Sequence, residues 1–180
     1  DSLVARCIKK LGKEYVGCDM REGPGVDLIL NLHDIALEDN TAGTVLCLDT
    51  LEHVEHPYRA IEEIHRILKR NGMVIISSVM NYPIHDFPCD YWRFTPEAFR
   101  SILKPFPNVY VNYAGEENFP HTVVGIGCKG TEIHFGDFKA AGLEWQHRWT
   151  EPESPKNFTG KLKRETKRVY NQVSDILKHK

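Results

Sequence analysis

The chain has 180 residues, 41% of them hydrophobic, and a formal net charge of -2 from 23 basic and 25 acidic side chains. That length supports one ordinary domain with a real core, and so even a charge balance exerts no overall pull toward nucleic acid or acidic partners. No apolar run approaches the roughly 18 residues that cross a bilayer, and five cysteines without CxxC spacing argue against a zinc or disulfide framework; the expectation is a soluble protein of the reducing cytoplasm.

Leu3, Val4, Cys7, Ile8 and Leu11 share one face of a helix over 1–11, and Gly12 follows as its stop. Tyr15 to Cys18 reads as a short strand ending in Asp19-Met20-Arg21, Gly23-Pro24-Gly25 as a turn, and Val26 to Leu32 as a second strand. After a polar connection from His33 to Asn40, the apolar run Val45-Leu46-Cys47-Leu48 predicts a strand buried on both faces, ending at Asp49 and Thr50. Pro57 opens a helix in which Ile61, Ile64, Ile67 and Leu68 recur at three- and four-residue spacing, and Asn71-Gly72 is expected to end it before a strand at Met73 to Ile76. Two buried strands joined by a helix make a parallel unit, and ligands of such sheets sit beyond the carboxyl ends of the strands. Asp49, Thr50, Glu52 and His53 are therefore at the functional edge.

The segment VMNYPIHDFPCDYWRF after Ser78 is an irregular loop that reads as a substrate wall. Thr95-Pro96-Glu97 is a helix start with a cap, a proline and a first-turn acid. Asn108 to Tyr113 and Thr122 to Cys128 predict an antiparallel hairpin closing the sheet. The remainder, 131–180, reads as an extension, first packed around Trp145 and Trp149 and then an amphipathic helix along Leu162, Val169, Val173, Ile176 and Leu177. That helix is basic on its other face, which fits a solvated surface as well as a nucleic-acid or membrane contact.

Asp19, at a strand end, suits either a turn aspartate or a carboxylate accepting hydrogen bonds from a ribose diol. Taken together, YVGCDMREGPGVDLILNLHDIALEDN, then VLCLDTLEHVEHPYRAIEEIHRILKRNGMVIISS, then HDFPCDYWRFTPEAF resembles the class I S-adenosylmethionine-dependent methyltransferases, in particular the small-molecule-type group with a Leu-Glu-His segment. A dinucleotide-binding dehydrogenase, the competing reading, lacks its glycine fingerprint here. The resemblance covers residues 1–130 and implies a Rossmann-like α/β domain, mostly parallel, with an antiparallel C-terminal hairpin and the strand order 3-2-1-4-5-7-6. The family's first strand and glycine-rich loop precede the helix that begins here at Asp1, so the expectation is that they are missing from these residues; Gly125-Ile126-Gly127, in a late strand, is no substitute.

By that resemblance S-adenosylmethionine is the cofactor. Asp19 holds its ribose, Met20 lies against the adenine, and Leu32 and His33 meet the ring edge through their backbone. Asn31 stands where the family has an aspartate accepting from the adenine amino group, and Leu48 and Asp49 border the methionine part. The acceptor is a small molecule or sugar-type compound methylated on oxygen or nitrogen. Aligning it with an electrophilic methyl and excluding water is most of the task, and a base serves only where a proton must leave. His53, His85 and Asp90 are candidates for that base, although His53 suits a structural turn residue equally. Tyr91 and Trp92 read as an apolar wall for the acceptor, and Arg93 as the partner of an anionic substrate group. No metal set has a telling spacing. A noncatalytic binding domain is the alternative raised by Asn31 and the missing loop. RNA methylation rests on the basic terminal helix alone, without an Asn-Pro-Pro-Tyr motif.

Overall fold

The computed structural model describes residues 3–86, 88–130 and 135–146. Described residues up to Asn31 form one compact unit, and those from Leu32 onward another. The basic helix expected at the C-terminus lies outside the described residues.

In the first unit, α1 (Leu3–Lys10) ends where Gly12 adopts φ +68°, so that the amides of Leu11, Gly12 and Lys13 close on the carbonyls of Cys7, Lys9 and Ile8. The expected strands shrink to β1 (Cys18–Asp19) and β2 (Leu28–Ile29), paired in parallel. The turn between them is tight. Gly25 sits at φ +85°, and a Cβ on Gly17 would lie 1.9 Å from the Gly25 carbonyl oxygen, so position 17 has no room for any side chain.

The second unit carries β3 (Ala42–Leu48), β4 (Leu68–Val79), β5 (Asn108–Glu116) and β6 (Phe119–Cys128) in the order β3-β4-β6-β5. β3 and β4 are parallel, while β6 runs antiparallel to both β4 and β5. This order reproduces the 4-5-7-6 half expected for the sheet, as β1 and β2 reproduce the parallel 2-3 pair. Among the described residues β3 pairs only with β4, and Val45, Leu46 and Leu48 are accordingly half-buried rather than buried on both faces as expected.

Between β3 and β4, α2 (Pro57–Ile67) buries Ala60, Ile61, Ile64 and Ile67. Burying each isoleucine stabilises the fold by about 1.5 to 3 kcal/mol, which outweighs a weak start at His56 that has no side-chain cap. The helix ends at Ile67, four residues before the Asn71-Gly72 stop that the sequence predicts. Tertiary pairing overrides propensity here: Leu68 aligns with Ala42 at the start of the β3 ladder, and Lys69 to Gly72 bulge out before Met73 resumes register with Thr44. A Cβ on Gly72 would come within 3.0 Å of the carbonyl oxygens of Gly43 and Lys69.

β4 is buried continuously from Gly72 to Val79, with alternate residues serving two faces. Met73 and Ile75 join Ile126 and Cys128 in a cluster flanked by Leu46, Tyr110 and Phe138. On the other side, α3 (Pro96–Ile102) starts as predicted, with Thr95 Oγ1 accepting from the Ala98 amide at 3.1 Å. Gly125 and Gly127 belong to this packing: added Cβ atoms would meet Leu103 at 2.8 Å and Phe106 at 2.7 Å. α4 (Gly136–Gln146) docks on β5, where Gln146 Nε2 donates to Asn112 Oδ1. No helix among the described residues is long and apolar enough to cross a membrane.

Candidate active site

The carboxyl ends of β3 and β4 meet where apolar strand gives way to polar side chains. Asp49 directly follows β3 in the left-handed region at φ +46°, a conformation that stores strain outside glycine and clusters at functional sites. Its amide donates to the Ser77 carbonyl at 3.0 Å, and Ser77 Oγ donates to Asp49 Oδ1 at 2.8 Å. Although Asp49 is exposed as a residue, protein crowds its carboxyl group, and this desolvation raises its pKa against the opposing effect of the Ser77 hydrogen bond.

A single 3₁₀ turn, Leu51–His53, follows Asp49. It sends Leu51 and Glu52 inward, each fully buried, and leaves His53 half-buried at the edge. Glu52 Oε2 accepts from Ser78 Oγ at 2.7 Å, whereas Oε1 is buried without a hydrogen-bond partner. Burial raises the Glu52 carboxyl above its ordinary range, opposed by the Ser78 hydroxyl. The Glu52 carbonyl in turn accepts from the amides of Tyr91 and Trp92, so the turn holds the far end of the aromatic loop.

That loop folds back over the same edge. His85 packs edge-on against His53, ring centroids 4.7 Å apart, and Tyr82 stands edge-on against His85 at 4.9 Å. Each imidazole points Nδ1 at a main-chain carbonyl, His53 at Cys89 (2.7 Å) and His85 at Pro83 (3.1 Å). A carbonyl only accepts, so each Nδ1 carries a proton, and in the neutral ring the lone pair is at Nε2.

Arg93 and Asp90 form the clasp of the loop. Arg93 donates Nη1 and Nη2 to the two oxygens of Asp90 at 2.6 and 2.8 Å, and its other three donors go to the carbonyls of Tyr82, Pro83 and Trp92. A guanidinium has five N–H donors, and all five are used. Asp90 also accepts from the His85 amide at 2.7 Å, and the hydrogen bonds from the Arg93 guanidinium hold its carboxyl well below the usual carboxylate range. The geometry therefore gives Arg93, expected at an anionic substrate group, no donor to offer one. Asp90, expected as a base, is too weak a base for that work.

Trp92 anchors its indole nitrogen on the Val54 carbonyl at 2.9 Å while leaving its ring partly exposed, and Tyr91 is exposed beside it. Phe94 is core, packed on Phe99 with centroids 5.4 Å apart. His33 Nε2 accepts from the His56 amide at 3.0 Å, capping the approach to α2; Leu32 is half-buried and Leu48 ends β3. In the first unit, Asp19 is exposed, with Oδ1 accepting from the Arg21 amide at 2.9 Å, and Met20 and Asn31 are exposed. Ser77 and Ser78 went unremarked in the sequence, although two serines closing an otherwise apolar strand are a legible sign of a strand end at a polar crevice. The cavity of about 590 Å³ lined by Asn40, Lys69, Arg70 and Lys129 lies at the opposite ends of β3 and β4. There Lys129 Nζ is held by Asn40, His65 and Leu68, so its charge serves the fold.

Residues 2–76 match the family model described as a methyltransferase domain. The described architecture is similar to a SAM-dependent methyltransferase from Archaeoglobus fulgidus, with TM-score 0.57 and 16% identity, covering 69% of this chain and 80% of that one. The fold is that of a class I methyltransferase. The 1,6-didemethyltoxoflavin-N1-methyltransferase of Burkholderia thailandensis, solved with 1,6-didemethyltoxoflavin and S-adenosylhomocysteine, is similar at TM-score 0.56 and 16% identity, over 71% of this chain and 66% of that one. An uncharacterised protein of Methanocaldococcus jannaschii is 44% identical over 46 residues, which are 26% of this chain and 20% of that protein. The methyltransferase match thus takes in α1, both strands of the first unit, β3, the Glu52 turn, α2 and β4 as far as Ile76.

Proposed function

We propose that this chain is an S-adenosylmethionine-dependent methyltransferase of the Leu-Glu-His group, acting on an oxygen or nitrogen of a small-molecule or sugar-type acceptor. The observation that carries the reading is the convergence of Asp49, Glu52, His53 and His85 at the carboxyl ends of two parallel strands, in a chain whose residues 2–76 match a methyltransferase domain. The cofactor supplies an electrophilic sulfonium methyl. Asp19 fits its ribose end: Oδ1 is engaged by Arg21, while Oδ2 remains for a hydroxyl donor, and the exposed Met20 offers an apolar surface for the base. Asn31, Leu32 and His33 complete the adenine side, the Asn31 carbonyl accepting where an aspartate is usual. Leu48 and Asp49 take the amino-acid end.

On the acceptor side, Tyr91 and Trp92 form the wall, and the Asp90–Arg93 clasp fixes the loop that carries them. Either His53 or His85 receives the acceptor proton at Nε2, its ring oriented by the carbonyl that holds Nδ1. The small-molecule acceptor of the Burkholderia thailandensis protein supports this substrate class.

Titration of the purified chain with S-adenosylmethionine by calorimetry tests the reading. Saturable binding is expected, weakened about tenfold or more in Asp19→Ala, since losing a charge-assisted hydrogen bond costs about 1.5 to 3 kcal/mol. Asp19 is exposed, so the melting temperature should stay within about 1 °C of the parent's. Equal affinity in parent and variant would remove Asp19 from the site.

A further inference from the structure

We infer that Glu52, His53 and His85 form the protein side of a divalent transition-metal site, a role distinct from holding the methyl donor. The three residues offer ligand atoms all within 4.8 Å of one another, from two segments, the 3₁₀ turn after β3 and the loop after β4. A cation bonded at about 2.0 to 2.2 Å wants its ligands roughly 3.4 Å apart, so a modest drawing-together of the turn and the loop, each carrying its imidazole with the carbonyl bond intact, completes the set.

Three features of the side chains point to an ion rather than to mere proximity. Glu52 is fully buried, its Oε1 has no hydrogen-bond partner, and none of the ion pairs among the described residues includes it. A buried carboxylate without a cation is costly, and such groups are normally paired or metal-bound. Both imidazoles have Nδ1 fixed by a carbonyl, which is the support that sets an Nε2 lone pair toward a metal. Behind His85, the Asp90 carboxylate adds to that support, its Oδ2 standing 3.4 Å from Nδ1.

Two imidazoles and one carboxylate suit Zn²⁺, Mn²⁺, Co²⁺ or Fe²⁺ rather than Ca²⁺ or Mg²⁺, and three protein ligands leave positions open for water or a substrate oxygen. With the ion bound both Nε2 lone pairs are engaged, so an acceptor hydroxyl taking an open position would be oriented by the ion and would lose its proton to water rather than to an imidazole; that clause rests on the methyl-transfer reading, whereas cation binding does not.

The test uses the full chain without an affinity tag, stripped with chelator and titrated with CoCl₂ by visible absorption and with ZnCl₂ by calorimetry. One ion per chain is expected, with cobalt ligand-field bands and no thiolate charge-transfer band. His53→Ala and His85→Ala should each weaken binding about tenfold or more with the melting temperature of the metal-free protein retained. Glu52→Gln should do the same, and because Glu52 is buried, the two histidine variants carry the test if that variant fails to fold. Failure of the parent to bind, unchanged affinity in both histidine variants, or a thiolate band overturns the site. Parallel titration with S-adenosylmethionine separates the two claims: cobalt binding without cofactor binding sinks the methyl-transfer reading alone, and the reverse sinks the metal site alone.

Discussion

Replacing Arg93 with alanine removes the clasp and leaves its partner in place, and the consequence follows from burial. The Asp90 side chain is 2% exposed and that of Arg93 25%, so the variant strands a buried carboxylate with the His85 amide, and the His85 ring at 3.4 Å, left to compensate. Breaking a buried pair from one side costs about 3 to 5 kcal/mol, and the partial exposure of Arg93 places this case near 3 kcal/mol. For a domain of this size that is a fall of about 6 to 12 °C in melting temperature. Arg93→Ala/Asp90→Ala should recover part of the loss, because it removes the stranded charge. The pH dependence has a definite sign. Asp90 is held below its ordinary value in the folded state, so the clasp stabilises fully above the unfolded carboxylate pKa of about 3.9 and fades as pH falls toward the folded value. The gap between parent and Arg93→Ala should be widest near neutrality and narrow below about pH 4. Thermal melts of the three proteins from pH 3 to 7 decide the matter. If Arg93→Ala melts with the parent while only the acceptor's KM rises, Arg93 faces substrate and the clasp is wrong.

Other changes follow from the same contacts. Gly17→Ala places a Cβ 1.9 Å from a main-chain oxygen and should cost more than about 3 kcal/mol, read by loss of protection of the Asp27 and Leu28 amides in hydrogen exchange. Thr95→Ala removes the cap of α3 and should lower stability by about 1 kcal/mol in urea denaturation, with an unchanged slope. Ser78→Ala takes away the hydroxyl that donates to Glu52 Oε2 and should cost about 1 to 3 kcal/mol, also by urea denaturation; a neutral result would mean that water or an ion already satisfies that group.

Features governed by adjacent residues were legible in the sequence. The cap, proline and acid before α3 are local chemistry, and the structure uses Thr95 as that chemistry requires. The Gly23-Pro24-Gly25 turn and the stop at Gly12 are equally local, since each depends on the backbone freedom of one residue. Features settled by distant backbone were misread. Asn71-Gly72 has the composition of a helix stop, yet α2 ends where Leu68 finds Ala42 across the sheet, a partner that no window around residue 70 contains.

Charged residues in the aromatic loop failed for a related reason. Asp90 and Arg93 stand three apart, a spacing that permits an ion pair in a helix or turn but does not impose one, so an arginine in a crevice loop read as a substrate contact. What decides its role is the count of acceptors around it, three of them main-chain carbonyls from Tyr82, Pro83 and Trp92. Arg66 repeats the pattern without any claim on the site: its donors are divided among Glu63, Asp39 and the carbonyls of Ile35 and Leu37, pinning the connection before β3 onto α2. In both places a saturated guanidinium is the cross-brace of an irregular segment that has no ladder of its own. Glu52 is the opposite case, since its geometry leaves one buried carboxylate oxygen without a hydrogen-bond partner, with two imidazoles within 4.8 Å, and an unsatisfied buried group at a strand-end crevice is a feature that packing alone does not explain.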